Sequence, residues 1–147
     1  MRIAVLGAGR VGSTLGQKWA AAGHEVVFGV RDISSPKVRA ILESVQGPAS
    51  ADTLAGAIAF GEIVVFAIPG TAVASTVDAY APTLDGQILV DATNRFGSPE
   101  VSSVTTFAAK TPRARLFRAF NSLGWECFVE PSSGNLQADL LYCGPDD

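Results

Sequence analysis

The sequence contains a single histidine, His24, and only two cysteines, Cys127 and Cys143. His24 sits between a helix-like stretch and the next strand. With it placed there, no Ser–His–Asp triad can be assembled. The cysteines lie far apart with no second pair at zinc spacing, and no His-Glu-x-x-His run occurs, so no metal motif is present. Both cysteines stand among apolar residues and read as small buried side chains of a protein from a reducing cytoplasm. Positive charge is scarce as well. Eleven Lys and Arg against 14 Asp and Glu give a net charge of −3, and no basic cluster stands out, which argues against a nucleic-acid partner. No apolar run is longer than a strand, so none spans a bilayer. The N-terminus enters a strand-like run at once, without the pattern of a signal peptide. The expectation is a cytoplasmic chain with neither membrane nor nucleic acid as partner.

What is present is core and glycine. At 147 residues, 48% of them hydrophobic, the length prior gives one domain, residues 1–147, with enough apolar material to bury. The chain opens on Met1-Arg2-Ile3-Ala4-Val5-Leu6, an apolar run with β propensity. Gly7-Ala8-Gly9-Arg10-Val11-Gly12 follows directly, and then a helix-like stretch from Ser13 to Ala22. A glycine-rich turn between a strand and a helix is the arrangement a dinucleotide site requires. In such a turn Gly7 reverses the chain, Gly9 clears space for the pyrophosphate, and Gly12 lets the helix approach the sheet. The N–H groups of the helix's first turn then favour phosphate.

Strand and helix alternate from there on. Glu25–Val30 reads as a second strand and Pro36–Val45 as a helix with Val38, Ile41, Leu42 and Val45 at helical spacing. Ala49-Ser50 is a very short third strand, and Asp52 caps a helix through Phe60. Ile63–Ile68 is wholly apolar, as in the middle of a parallel sheet. A helix over Thr71–Tyr80, a strand over Gln87–Asp91, a helix over Val101–Ala109 and a strand over Leu116–Phe120 follow. Asp139–Cys143 reads as a seventh strand. This alternation predicts an α/β class, a doubly wound parallel sheet of the Rossmann type with right-handed crossovers. Ligands of such sheets lie outside the carboxyl ends of the strands, so the informative residues are those just after each strand.

After the second strand an acidic side chain would bind the ribose 2′-hydroxyl of NAD, and an arginine would accommodate the 2′-phosphate of NADP. Here Val30 occupies the usual acidic position and Arg31 follows, offering an always-charged fork to phosphate; Lys37 adds a second cation. Asp32 stands about 20 residues beyond Gly12, where the NAD rule places its acid, so NAD remains the alternative to NADP, and a merely solvated Arg31 the third reading. Ile68-Pro69 after the fourth strand lies where ribose and nicotinamide pass, or is simply a strand stop. Asn94 offers a hydrogen bond to a carboxamide or ribose, with Asp91 holding its loop. Asn121 and Ser122 point into the same cleft or serve as turn and capping residues. No side chain is singled out as catalytic.

The Met1–Gly12 segment, the Gly23–Asp32 segment, Asp91-Ala92-Thr93-Asn94 and Arg118-Ala119-Phe120-Asn121 together resemble the coenzyme F420 (deazaflavin)-dependent NADP oxidoreductase family over essentially the whole chain. Pyrroline-carboxylate reductases are related. The resemblance implies NADP as cofactor and a deazaflavin as co-substrate. It also implies a 2′-phosphate site at a hydroxyl–arginine pair, of which Arg31 is kept and Val30 replaces the hydroxyl. It further implies a homodimer and a helical segment after the seventh strand. That segment is expected to be absent here, since the chain stops at Gly144-Pro145-Asp146-Asp147, where Asp146 could cap its start. The leading expectation is hydride transfer between NADP(H) and a deazaflavin or another small redox acceptor. An imine or carbonyl reductase is the second, and a non-catalytic NADP-binding module the third.

Overall fold

The computed structural model describes residues 1–145. Asp146, the expected cap of a further helix, lies outside the described residues. Six strands, β1 (Arg2–Leu6), β2 (Glu25–Gly29), β3 (Ala49–Asp52), β4 (Ile63–Phe66), β5 (Ile88–Asp91) and β6 (Arg115–Arg118), form one sheet. Their spatial order is β3-β2-β1-β4-β5-β6 and every pairing is parallel. This is a doubly wound Rossmann sheet. The order reverses between β1 and β4, and a crevice opens at that switch point beyond the strands' carboxyl ends.

The β1 sequence shows why both faces must be covered. Ile3 and Val5 point to one face and Ala4 and Leu6 to the other, since side chains alternate along a strand, and all four are at most 4% exposed. Ile3 and Val5 pack with Val26, Phe28 and Val65 beneath α1 (Arg10–Ala21) and α2 (Pro36–Ser44), which contribute Ala20 and Val38. Ala4 and Leu6 pack with Val64, Phe66 and Leu89 beneath α3 (Leu54–Phe60), α4 (Val73–Leu84) and α5 (Val104–Lys110), which bring Ile58, Val77 and Phe107. Phe66 and Phe107 meet edge to face at 4.9 Å between centroids. Truncating Phe66 to alanine would cost about 3–5 kcal/mol.

Several boundaries differ from the sequence reading. Helix α1 begins at Arg10 rather than Ser13, with Gly9 as its N-cap, because the last glycine of the turn is already helical. Asp52 is the last residue of β3, and the cap of α3 is Thr53, whose hydroxyl accepts from the Gly56 N–H at 3.1 Å. Strand β4 ends at Phe66, two residues short of Ile68, and a 3₁₀ turn over Gly70–Ala72 leads into α4. Helix α5 starts at Val104 rather than Val101. Asp139–Cys143 is not a strand. Only Cys143 pairs with Arg118, antiparallel, through two backbone hydrogen bonds of 2.8 and 3.0 Å. Before it come a short helix α6 (Glu126–Val129) and a hairpin, β7 (Ser132–Ser133) with β8 (Leu136–Gln137), none of which the hydrophobic pattern indicated. The cysteines are not buried either: Cys143 is exposed and Cys127 partly so, both with free thiols. No helix among the described residues is long and apolar enough to cross a membrane.

Candidate functional site

The glycine turn joins β1 to α1 at the sheet's switch point. Gly7 has φ +100°, the left-handed region that a side chain rarely enters, and a Cβ there would lie 2.7 Å from the Ala67 carbonyl oxygen. Gly12 faces the Gly7 carbonyl so closely that any Cβ would overlap it, so the helix can reach the turn only with glycine at this position. Gly9 differs from both: a Cβ there would meet nothing within 4 Å. The protein leaves open the space beside Gly9, above the first turn of α1, whose free N–H groups have no intrahelical partner. Arg10, in that first turn, lies over the Trp125 ring at 5.5 Å, which ties the turn to the loop after β6.

Beyond the carboxyl ends of β4, β5 and β6 is a cleft of about 510 Å³, lined among others by Val11, Ile68, Pro69, Asn94, Asn121 and Trp125. Its size suits a bound ring system. None of its lining residues is Asp, Glu, His, Lys, Arg, Cys or Tyr. The walls are held by a buried polar cluster behind them. Asp91, at the end of β5, is fully buried. Its Oδ1 accepts from the Thr93 N–H (2.9 Å) and hydroxyl (2.7 Å), and its Oδ2 from Arg118 Nη1 at 2.7 Å. Arg118 Nη1 also donates to the Thr93 carbonyl (3.0 Å) and Nη2 to Asn94 Oδ1 (2.6 Å). With its amide oriented by these neighbours, Asn121 accepts from Arg118 Nε (2.6 Å) and Nη2 (2.7 Å). The five donors of one guanidinium thus join the loop after β5 to the loop after β6. Between Arg118 and Asn121 the chain passes through Phe120 at φ +63°, a conformation that costs a non-glycine residue about 1–3 kcal/mol. Edge-to-face contacts with Trp19 and Phe128 hold it there.

The structure sorts the sequence candidates. Gly7, Ala8, Gly9, Arg10, Val11 and Gly12 form the turn and the start of α1. Ile68, Pro69, Asn94 and Asn121 come together on the cleft. Val30 does not join them: it is 9% exposed and packs with Val38 in the core under α1 and α2, so position 30 presents no side chain to a ligand. Asn94 also departs from expectation. Its Nδ2 donates to the Asn121 carbonyl at 2.7 Å while its Oδ1 serves Arg118; the amide is an internal brace rather than an open hydrogen-bonding group. Asp91 holds its loop, as expected. After β2, the side chains of Arg31 and Lys37 are exposed and make no hydrogen bond or ion pair among the described residues. Asp32 is engaged instead: its Oδ1 accepts from the Ser34 N–H (2.9 Å) and hydroxyl (2.6 Å). Arg118 is the member of the site that residue-by-residue reading missed; its place inside the Arg-Ala-Phe-Asn segment was the available signal.

Comparison with known proteins adds to this geometry. The family model described as NADP oxidoreductase, coenzyme F420-dependent, matches residues 2–95, which takes in the glycine turn, Arg31 and the loop to Asn94. The chain belongs to that family. Among solved structures it is similar to a protein of Arthrobacter sp. FB24 provisionally described as an F420-dependent NADP reductase, at 27% identity and a TM-score of 0.83, over 99% of this chain and 74% of that one. An imine reductase from Aspergillus terreus in complex with NADPH4 is similar at 23% identity and TM-score 0.70, over 96% of this chain and 46% of that one. The pyrroline carboxylate reductase of Plasmodium falciparum, with NADP bound, shares 13% identity at TM-score 0.67, over 100% and 49%; at these identities the likeness is of fold. No curated protein matches the chain.

Proposed function

We propose that this member of the family binds NADP(H) and transfers a hydride between it and a deazaflavin or another small acceptor. The observation that carries the choice of chemistry is the composition of the 510 Å³ cleft: its lining holds no ionisable side chain. Bound NADPH supplies a hydride. Passing a hydride between two rings needs position and electrostatics from the protein, with the proton taken from solvent. An imine or carbonyl acceptor would call for a placed proton donor, which this lining does not offer.

The residues fit the cofactor. The open space at Gly9 accepts a pyrophosphate beside the α1 N-terminus. Arg31, with Lys37, has its charge free for a 2′-phosphate, while Asp32 is turned into its own loop. The apolar strand ends at Ile68 and Pro69 and the braced loops at Asn94 and Asn121 form the walls for a nicotinamide and exclude water from one side of it.

Two measurements test the reading. Arg31→Ala should weaken NADPH by roughly 10- to 150-fold, the equivalent of a charged hydrogen bond of about 1.5–3 kcal/mol, and leave NADH unchanged; an equal loss for both cofactors refutes the 2′-phosphate assignment. A turnover screen of NADPH oxidation should find activity with a deazaflavin and none with imines or keto acids. Tight NADPH binding with no acceptor reduced would make the chain a binding module instead.

A further inference from the structure

The phosphate turn and the cleft beyond β6 meet at one side-chain pair. Arg10, in the first turn of α1, is exposed, and its guanidinium lies over the Trp125 ring at 5.5 Å from the centroid. That guanidinium makes no hydrogen bond or ion pair among the described residues. Trp125 lines the 510 Å³ cleft together with Val11, the residue after Arg10. One cation thus stands between the space left open at Gly9 and a wall of the cleft.

Trp125 is held unevenly. Its carbonyl accepts from the Phe128 N–H at 3.0 Å and the Val129 N–H at 3.3 Å, so its backbone belongs to the start of α6. Upstream, Asn121 is braced by Arg118 and Phe120 by the Trp19 and Phe128 rings. The Trp125 side chain has no polar anchor of this kind. Its indole N–H is buried and without a partner, which costs free energy and asks for an explanation. Turning the ring breaks no hydrogen bond and lets that N–H reach water.

We propose, resting on the NADP reading of the glycine turn, that Arg10 is a positioning residue that couples the two ligand sites. The pyrophosphate draws the guanidinium off Trp125, and the freed ring turns to complete the cleft wall against the acceptor. Magnitudes decide the direction. A cation over an aromatic face at an exposed site is worth about two- to fivefold in an equilibrium, whereas a charge-assisted hydrogen bond is worth about 10- to 150-fold. The phosphate therefore takes the arginine while the dinucleotide is bound, and Arg10 returns to the ring when it leaves. The orphaned indole N–H pushes the same way, since only the free protein has to bury it. Coupling is reciprocal, so an acceptor that packs on the freed ring tightens the dinucleotide by the same factor.

The probe is 2′-phospho-ADP-ribose, which carries the pyrophosphate and the 2′-phosphate but no nicotinamide, so a change at Trp125 does not come from the cofactor's ring. The chain has two tryptophans, and Trp125→Phe assigns their two indole N–H resonances in NMR spectra. Binding should move the Trp125 resonance and speed its exchange with water, with a smaller change at Trp19. In Arg10→Met the probe should bind about tenfold more weakly by calorimetry, as loss of a charged hydrogen bond implies, and leave the Trp125 resonance in place. Arg10→Lys, which keeps a cation, should restore the shift. Trp125→Leu should tighten the probe by about two- to fivefold, because Arg10 then has no ring to leave. Weaker or unchanged binding in Trp125→Leu overturns the coupling. If that variant does not fold, the wild-type shift and its loss in Arg10→Met decide alone. Calorimetric binding with the wild-type Trp125 resonance unmoved overturns the coupling and keeps the NADP reading, whereas no binding at all fails that reading and the coupling with it.

Discussion

Arg118→Met removes the guanidinium from the cluster behind the cleft and keeps most of its apolar stem. Asp91 then retains two donors, both from Thr93 and both on Oδ1; its Oδ2 loses the Arg118 bond and its charge loses its counter-ion at a position with 0% exposure. Breaking a buried pair from one side costs about 3–5 kcal/mol. The Arg118 side chain is 15% exposed and the Thr93 bonds survive, so the lower end, about 3 kcal/mol, is expected. A domain with roughly 5–15 kcal/mol of stability stays folded, and the urea midpoint falls by about 1–2 M at a slope near 2 kcal/mol/M. Equilibrium urea unfolding of wild type, Arg118→Met, Asp91→Asn and the double variant completes a cycle. The double variant should be less destabilised than the sum of the singles by at least about 1.5 kcal/mol, because Asp91→Asn removes the charge that Arg118 balances. Additive losses, or a cost for Arg118→Met below about 1 kcal/mol, would refute the claim that this ion pair holds the two loops. NADPH affinity should fall with the stability, since Asn94 and Asn121 lose their common anchor.

The glycine turn separates fold from ligand. Gly12→Ala should lose about 1–3 kcal/mol by overpacking against the Gly7 carbonyl, whereas Gly9→Ala should unfold at the wild-type urea midpoint and yet bind NADPH markedly more weakly by isothermal titration. Asp32→Asn keeps the acceptor that Ser34 uses and should leave both NADH and NADPH affinity unchanged; a selective loss of NADH would restore Asp32 as a ribose ligand. The Arg113 side chain beside Asp85, with the Arg113 N–H, holds that carboxyl below its ordinary value of 3.8. Its contribution to stability is therefore present above that value and is lost as pH falls through the lower folded value. Asp85→Asn should flatten the acid limb of melting temperature against pH and leave the neutral region flat.

The sheet was legible because its strands carry the signal themselves. After the exposed Arg2 and Glu25 that start β1 and β2, these strands and β4 are continuous apolar runs, and a parallel sheet covered on both faces demands that pattern. The glycine turn was legible for the same reason, since its three positions answer to three different steric demands. The C-terminal region was not. Leu140, Leu141 and Tyr142 look like a strand, but a strand needs a partner along its length, and only Cys143 finds one, at Arg118. The three apolar side chains before it are 41–73% exposed, so propensity alone misled. Helix α6 has four residues, less than two turns, and no hydrophobic periodicity can be read over that length.

Polar residues at strand ends posed a different problem, which sequence spacing cannot solve. Asp32, Asn94 and Arg31 all stand where a ligand would pass, and each has suitable chemistry. What separates them is whether the protein already uses their hydrogen-bonding groups. Asn94 has both ends of its amide engaged and Asp32 has an oxygen held by Ser34. A ligand would gain from Asn94 only by breaking bonds the fold already has, and the net gain from exchanging one hydrogen bond for another is small. The Arg31 side chain has no such bond to lose, so a phosphate placed there would gain a full charge-assisted interaction. The same criterion turns the reading of Asn94 from a ligand contact into a support of the cleft wall, held from behind by Arg118.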